Sequence, residues 1–132
     1  MQKINIGIVG GAGYTGGELL RVLLRHPNAH ISFVHSTSNA GELVSKVHAD
    51  LVGDTNLKFT NVLDQSIDVL FLCLGHGDAK NFLATNVLEA KVKIIDLSQD
   101  FRMTSASYIG DRKFVYGLPE LQKSEIQQAK NI

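Results

Sequence analysis

The stretch IGIVGGAGYTGGELLRVLLRHP, Ile6 to Pro27, constrains this chain more than any other. Ile4 to Val9 is rich in β-branched residues and stops at Gly10, the pattern of a short buried strand. Leu19, Leu20, Leu23 and Leu24 then fall on one face of a helix, and Pro27 closes it because proline lacks the N–H a helix needs. A strand, a glycine-rich turn and an amphipathic helix in that order require a sheet covered by helices.

The remainder alternates in the same way. Ala29 to Ser36 reads as a second strand, and Thr37 to Thr55 as a polar loop with a short helix. Leu57 to Val62 reads as a minor strand. Ile67 to Leu74 is apolar nearly throughout, as expected of a strand buried on both faces of a parallel sheet. Ala79 to Ala90 is expected to be a helix with Phe82, Leu83, Val87 and Ala90 inward, followed by a buried strand at Val92 to Asp96. Residues 97–113 are irregular, Phe114 to Tyr116 suggests a short strand, and Gln122 to Lys130 a final helix. Leu121 against Ile126 and Ser124 with Gln127 match a staple and a capping box for that helix. The whole reads as one domain, a Rossmann-type doubly wound α/β sheet, mostly parallel, with helices on both faces. Ligands of such sheets sit beyond the carboxyl ends of the strands. The loops to watch are therefore 10–17, 75–78 and 97–102.

The glycines fit two related patterns. Gly11-Ala12-Gly13-Tyr14-Thr15-Gly16 fits G-x-G-x-x-G, and Gly10, Gly13 and Gly16 fit G-x-x-G-x-x-G. Both let the backbone approach a pyrophosphate and turn the N–H groups of the next helix toward it. A dinucleotide is the expected ligand. An acidic residue about 20 positions later would bind the ribose hydroxyls of NAD. Here that position is Ser36, in HSTSNAG, and no Asp or Glu occurs before Glu42. Ser36, Thr37, Ser38 and Asn39 leave room for a 2′-phosphate and can hydrogen-bond to it, which predicts NADP(H).

Composition narrows the alternatives. The 132 residues carry 13 basic and 13 acidic side chains, without the basic excess that nucleic acid or an anionic membrane would call for. No apolar run approaches the roughly 18 residues of a membrane span. The N-terminus enters a strand-like run without a signal-peptide layout, and the expected setting is the cytoplasm. A single cysteine excludes an internal disulfide and a cysteine-rich metal site. That residue, Cys73, lies in the apolar run LFLCLG and reads as buried and inert rather than as a nucleophile.

His26 and His30 have helical metal spacing, but Pro27 between them breaks the helix, so no metal site is expected. His35 and His48 belong to no motif and read as surface or loop residues. Leu74, Gly75 and His76 stand at the ligand edge, where they line the ribose or nicotinamide or form a plain turn. Ser98 can reach the nicotinamide or a substrate phosphate. Arg102 can pair with a substrate anion or with Asp100, the structural pair being favoured.

Three further segments, DVLFLCLGHGDAKNF, IIDLSQDFRM and VYGLPEL, follow GAGYTGGELLRVLLRHP in order. Together they resemble the N-acetyl-gamma-glutamyl-phosphate reductases of arginine biosynthesis, relatives of aspartate-semialdehyde dehydrogenase, across essentially the whole chain. The resemblance implies an NADPH-dependent reductase of an acyl phosphate, oligomeric at full length. A cysteine displaces phosphate to give a thioester, hydride reduces the thioester to a semialdehyde, and a histidine serves as acid and base. It also implies that the nucleophile lies in an Asn-Pro-Gly-Cys-type turn just beyond the segment AKNI. On that reading residues 1–132 are a cofactor domain, inactive alone, without catalytic residues, substrate domain or acyl-recognition site. Two departures from the family stand out: Thr37 replaces a basic residue, and Gly75 a proline. The other functions considered are a non-catalytic NADP(H)-sensing module and a different semialdehyde dehydrogenase, such as the aspartate enzyme.

Overall fold

The computed structural model describes residues 2–132. Five parallel strands form one sheet in the order β3-β2-β1-β4-β5: β1 Ile4–Val9, β2 Ala29–His35, β3 Phe59–Thr60, β4 Val69–Leu72 and β5 Lys93–Asp96. Strand order reverses at β1, which pairs with β2 on one side and β4 on the other. That reversal opens a crevice at the carboxyl ends of the central strands.

Each face of the sheet has its own core. Helix α1, Tyr14–Leu23, buries Leu20 and Leu23 against Ile6, Ile8, Ile31 and Val34, with Leu19 and Leu24 packed at the margin. The short helix α2, Val44–Val47, and a 3₁₀ turn at Ala49–Leu51 complete that face. On the opposite face Val9, Phe33, Leu70, Leu72 and Ile94 meet Ala79 of helix α3, Asp78–Thr85. Helix α1 stops before Pro27, because the residue preceding a proline is driven out of the helical region.

Several elements differ from expectation. Helix α3 ends at Thr85, not Ala90, and Val87 is 92% exposed. Thr85 Oγ1 donates to the Asn81 carbonyl, Asn86 Nδ2 donates to that of Phe82, and Asn86 is extended. Polar side chains that bond the local backbone favour helix ends over interiors. The final helix, α4, runs Pro119–Gln128 with Pro119 in its first turn and a non-helical Gln122. Ser124 therefore lies inside the helix rather than at its cap, and Leu121 is 78% exposed, so neither the capping box nor the staple forms. Within the segment expected to be irregular, β6 Tyr108–Ile109 and β7 Arg112–Lys113 form a small antiparallel hairpin. The strand expected at Phe114 to Tyr116 reduces to a single bridge between Phe114 and Asn131. Asn131 also bridges Ile94, and Ile132 exchanges backbone hydrogen bonds with Ile94 and Asp96, so the last residues run parallel beside β5.

Candidate functional site

The glycine turn follows β1 at the point where strand order reverses. Gly10 has φ +80°, and a Cβ there would lie 2.4 Å from the Cys73 carbonyl oxygen, so only glycine fits. A Cβ on Gly16 would lie 2.7 Å from Gly11 Cα and from the Gly10 carbonyl oxygen, which keeps α1 tight against the turn. At Gly13 the nearest protein atom to such a Cβ is 3.8 Å away. The space above Gly13 is open, as an approaching phosphate needs. The geometry at Gly10, Gly13 and Gly16 matches what the three glycines of the dinucleotide fingerprint require. Gly11 serves packing instead, since a Cβ there would overlap Val34.

Gly13 is the N-cap of α1 and gives it no side-chain cap. The N–H groups of Ala12, Tyr14, Thr15 and Gly16 have no protein acceptor among the described residues. Tyr14 and Thr15 are exposed beside them. Uncapped amides at the positive end of a helix suit an anion.

A cleft of about 370 Å³ joins Gly10 to Ser36, Thr37, Ser38 and Leu74, with His35 and, from α3, Asp78 also in its wall; Gly75, His76 and Ser98 do not line it. Ser36 is buried and its hydroxyl accepts from Asn39 Nδ2, whereas Thr37 and Ser38 are exposed. No acidic side chain ends β2. His35, expected in a surface or loop role, instead lines this cleft half-buried, its ring 6.5 Å from that of Phe82. Burial lowers the His35 pKa, partly offset by a hydrogen bond to the Asn61 backbone.

Gly75 and His76 are exposed in the turn after β4. The Gln99 N–H donates to His76 Nδ1 at 3.1 Å, which ties this turn to the loop after β5. A second tie is stronger. The Asp100 carboxylate accepts from the N–H groups of Gly77 at 2.6 Å and Lys80 at 2.9 Å, capping α3 from another loop. That corrects the expected Arg102–Asp100 pair, because Asp100 is committed to the helix. Arg102 is exposed and donates to the Leu97 carbonyl. Ser98 is 2% exposed, its hydroxyl donating to the Asp96 carboxylate at 2.7 Å and accepting from the Asp100 N–H. Burial raises the Asp96 pKa, against the two Ser98 hydrogen bonds that lower it. Asp96, Ser98, Arg102, Tyr116 and Ile132 line a second cleft of about 330 Å³.

Burial, with a smaller contribution from Asp96, pushes the Cys73 thiol up to about 12. A thiol with so little thiolate at neutral pH is no nucleophile. His48, expected in a surface or loop role, is instead buried at 8% exposure beneath the glycine turn, with Nε2 2.7 Å from the Gly11 carbonyl oxygen. The one sequence signal for it is the doubled glycine: a Cβ on Gly17 would lie 2.6 Å from the His48 ring.

A parallel sheet with its reversal at β1, an uncapped glycine turn there and a cleft ending in hydroxyl residues define a dinucleotide-binding domain of the Rossmann class. The family model described as semialdehyde dehydrogenase, NAD binding domain, matches residues 5–129. The chain belongs to that family. N-acetyl-gamma-glutamyl-phosphate reductase of Christiangramia forsetii is 51% identical over 98% of this chain and 39% of its own length. That of Flavobacterium johnsoniae is 48% identical over 98% of this chain and 40% of its own. The chain thus spans about 40% of the length of the curated relatives it matches. Among solved structures, aspartate semialdehyde dehydrogenase II of Vibrio cholerae, complexed with ASA, aligns with a TM-score of 0.68 and 22% identity, over 100% of this chain and 38% of that one. Aspartate semialdehyde dehydrogenase of Candida albicans, with NADP, aligns with a TM-score of 0.62 and 16% identity, over 78% and 32%. These likenesses describe the fold.

Proposed function

We propose that this chain is the cofactor domain of an NADPH-dependent N-acetyl-gamma-glutamyl-phosphate reductase working in the cytoplasm as a homo-oligomer. The observation that carries the reading is the cleft joining Gly10 to Ser36, Thr37 and Ser38, with hydroxyls where an NAD-selective site would place a carboxylate. Open space at Gly13 and the free amides of Ala12, Tyr14, Thr15 and Gly16 fit a pyrophosphate. Thr37 and Ser38 donate to a 2′-phosphate, and Ser36 shapes the same turn. Leu74, Gly75 and His76 line the nicotinamide side, with Ser98 bracing the loop opposite.

NADPH, when bound, supplies the hydride that turns an acyl group into an aldehyde. Arg102, whose contact with Leu97 occupies one nitrogen, offers its remaining N–H groups to a substrate phosphate in the second cleft. Cys73 cannot supply the nucleophile, so residues 1–132 bind cofactor without turning over. The relatives' greater length supports placing the nucleophile and substrate domain on a continuation of this domain.

Titration with NADPH and NADH tests the cofactor half, with NADPH expected to bind at least tenfold more tightly. Equal affinities would overturn the NADP assignment. Phosphate-dependent reduction of NADP by N-acetylglutamate semialdehyde, assayed on a chain extended to the relatives' length, tests the reaction. Turnover with aspartate semialdehyde alone would replace it with the sister activity.

A further inference from the structure

Among the described residues, His48 is the one buried ionisable side chain that touches the glycine turn, and it lines neither cleft. It caps the carboxyl end of α2, where its N–H donates to the Val44 carbonyl and its own carbonyl accepts from Leu51. Arg21 of α1 grips Asp50 through two nitrogens, at 2.6 and 2.8 Å, and so pins this segment to α1 from outside. From inside, the His48 ring lies edge-on to Phe59 and fills the space left by the missing Cβ of Gly17. Its Nε2 reaches the Gly11 carbonyl oxygen at 2.7 Å.

A trans peptide is planar, and its C=O and N–H point in opposite directions. No described peptide of this chain is cis. Holding the Gly11 carbonyl down toward His48 therefore turns the Ala12 N–H of the same peptide up, away from the protein. The Gly11 N–H is fixed as well, donating to the His35 carbonyl at 3.2 Å. Residue 11 is thus held on both sides, and the next amide is the first one free to meet a ligand.

We propose that His48 is a positioning residue for the dinucleotide: it donates Nε2–H to the Gly11 carbonyl and so presets the Ala12 N–H to receive a pyrophosphate oxygen. Gly17 is glycine so that this ring fits. The proposal rests on the cofactor reading above. It adds that part of the affinity is held beneath the turn by a side chain that never touches the ligand.

The test is NADPH titration of the wild-type chain and of H48A, H48Q and G17A, with thermal melts and the ¹⁵N–¹H signal of the Ala12 amide. Loss of one preorganised hydrogen bond is expected to weaken NADPH binding about tenfold in H48A. H48Q, whose side-chain amide can donate from a similar place, should return to within about threefold of wild type. The Ala12 amide should shift on adding NADPH in wild type and H48Q, and little in H48A. A lower melting temperature with unchanged affinity in H48A would mark His48 as merely structural and overturn the proposal. Should H48A fail to fold, G17A decides: a displaced ring must weaken NADPH binding, and unchanged affinity refutes the inference. Failure of the wild-type chain to bind either dinucleotide would instead remove the cofactor reading, and this proposal with it.

Discussion

Removing the Asp100 carboxylate should loosen α3 and with it the coupling between the two ligand-edge loops. Asp100 accepts from the Gly77 and Lys80 N–H groups at 2.6 and 2.9 Å, and no side chain of α3's own cap residue does so. Losing a capping side chain costs about 1 kcal/mol in typical helices and up to about 2. The charge adds its interaction with the helix N-terminus, about 0.3–1 kcal/mol at such half-exposed sites. Asp100→Ala is therefore expected to destabilise the fold by about 2 kcal/mol. Asp100→Asn, which keeps one acceptor oxygen but loses the charge, should cost about half of that. For a chain of this length 2 kcal/mol corresponds to a drop in melting temperature of roughly 6 °C. Urea titration of the three proteins measures the ordering, and hydrogen exchange at Lys80 and Asn81 localises it to the first turn of α3. A D100A protein melting within about 1 °C of wild type, with unchanged exchange in α3, would refute the capping argument.

Gly13→Ala should leave the melting temperature within a few degrees, since its Cβ meets nothing nearer than 3.8 Å, yet weaken NADPH binding at least tenfold; titration beside a melt separates the two. Gly16→Ala should lose both, because its Cβ would strike the Gly10–Gly11 backbone at 2.7 Å. Cys73, with its thiol pushed up to about 12, should react with a thiol reagent at pH 8 on the order of a thousandfold more slowly in the folded chain than in urea, because an ordinary cysteine is substantially ionised there. Fast labelling of the folded chain would contradict the burial argument. His35 has a lowered pKa in the folded state, so the unfolded chain binds the proton first as pH falls below about 6.5. Its contribution to stability is complete above that pH and is lost as pH drops through the folded value. Urea midpoints at pH 7.5 and 5.5 should therefore differ more in wild type than in His35→Gln.

Much of the sheet was legible because its strands are buried on both faces. Apolar runs such as IDVLFLCL have few other uses, and the glycine turn fixed where the first crossover begins. The helix ends were less legible. Val87 and Ala90 continue the apolar spacing of α3, but Thr85 and Asn86 divert hydrogen bonds to their own backbone, and periodicity does not register that competition. The glycine patterns were equally good matches in sequence, and only the space around each Cβ assigns the roles to Gly10, Gly13 and Gly16. Asp100 and His48 were misread for one reason. Their partners lie 23 and 37 residues away, at Gly77 and Gly11, and no local pattern encodes such a meeting.

The ends of the sheet bear on how the chain keeps apart from its neighbours. At one margin β3 offers only Phe59 and Thr60. At the other, Asn131 lies between Ile94 and Phe114, taking up backbone groups that β5 would otherwise present to solvent. An open row of unpaired amides and carbonyls is a template on which another chain can extend a sheet, and short or covered margins remove it. In a crowded, partly unfolded population the liability therefore shifts to the Asn131–Ile132 segment. There the backbone bonds to Ile94, Asp96 and Val115 keep the β5 margin paired, and whatever loosens them opens that row to a second strand.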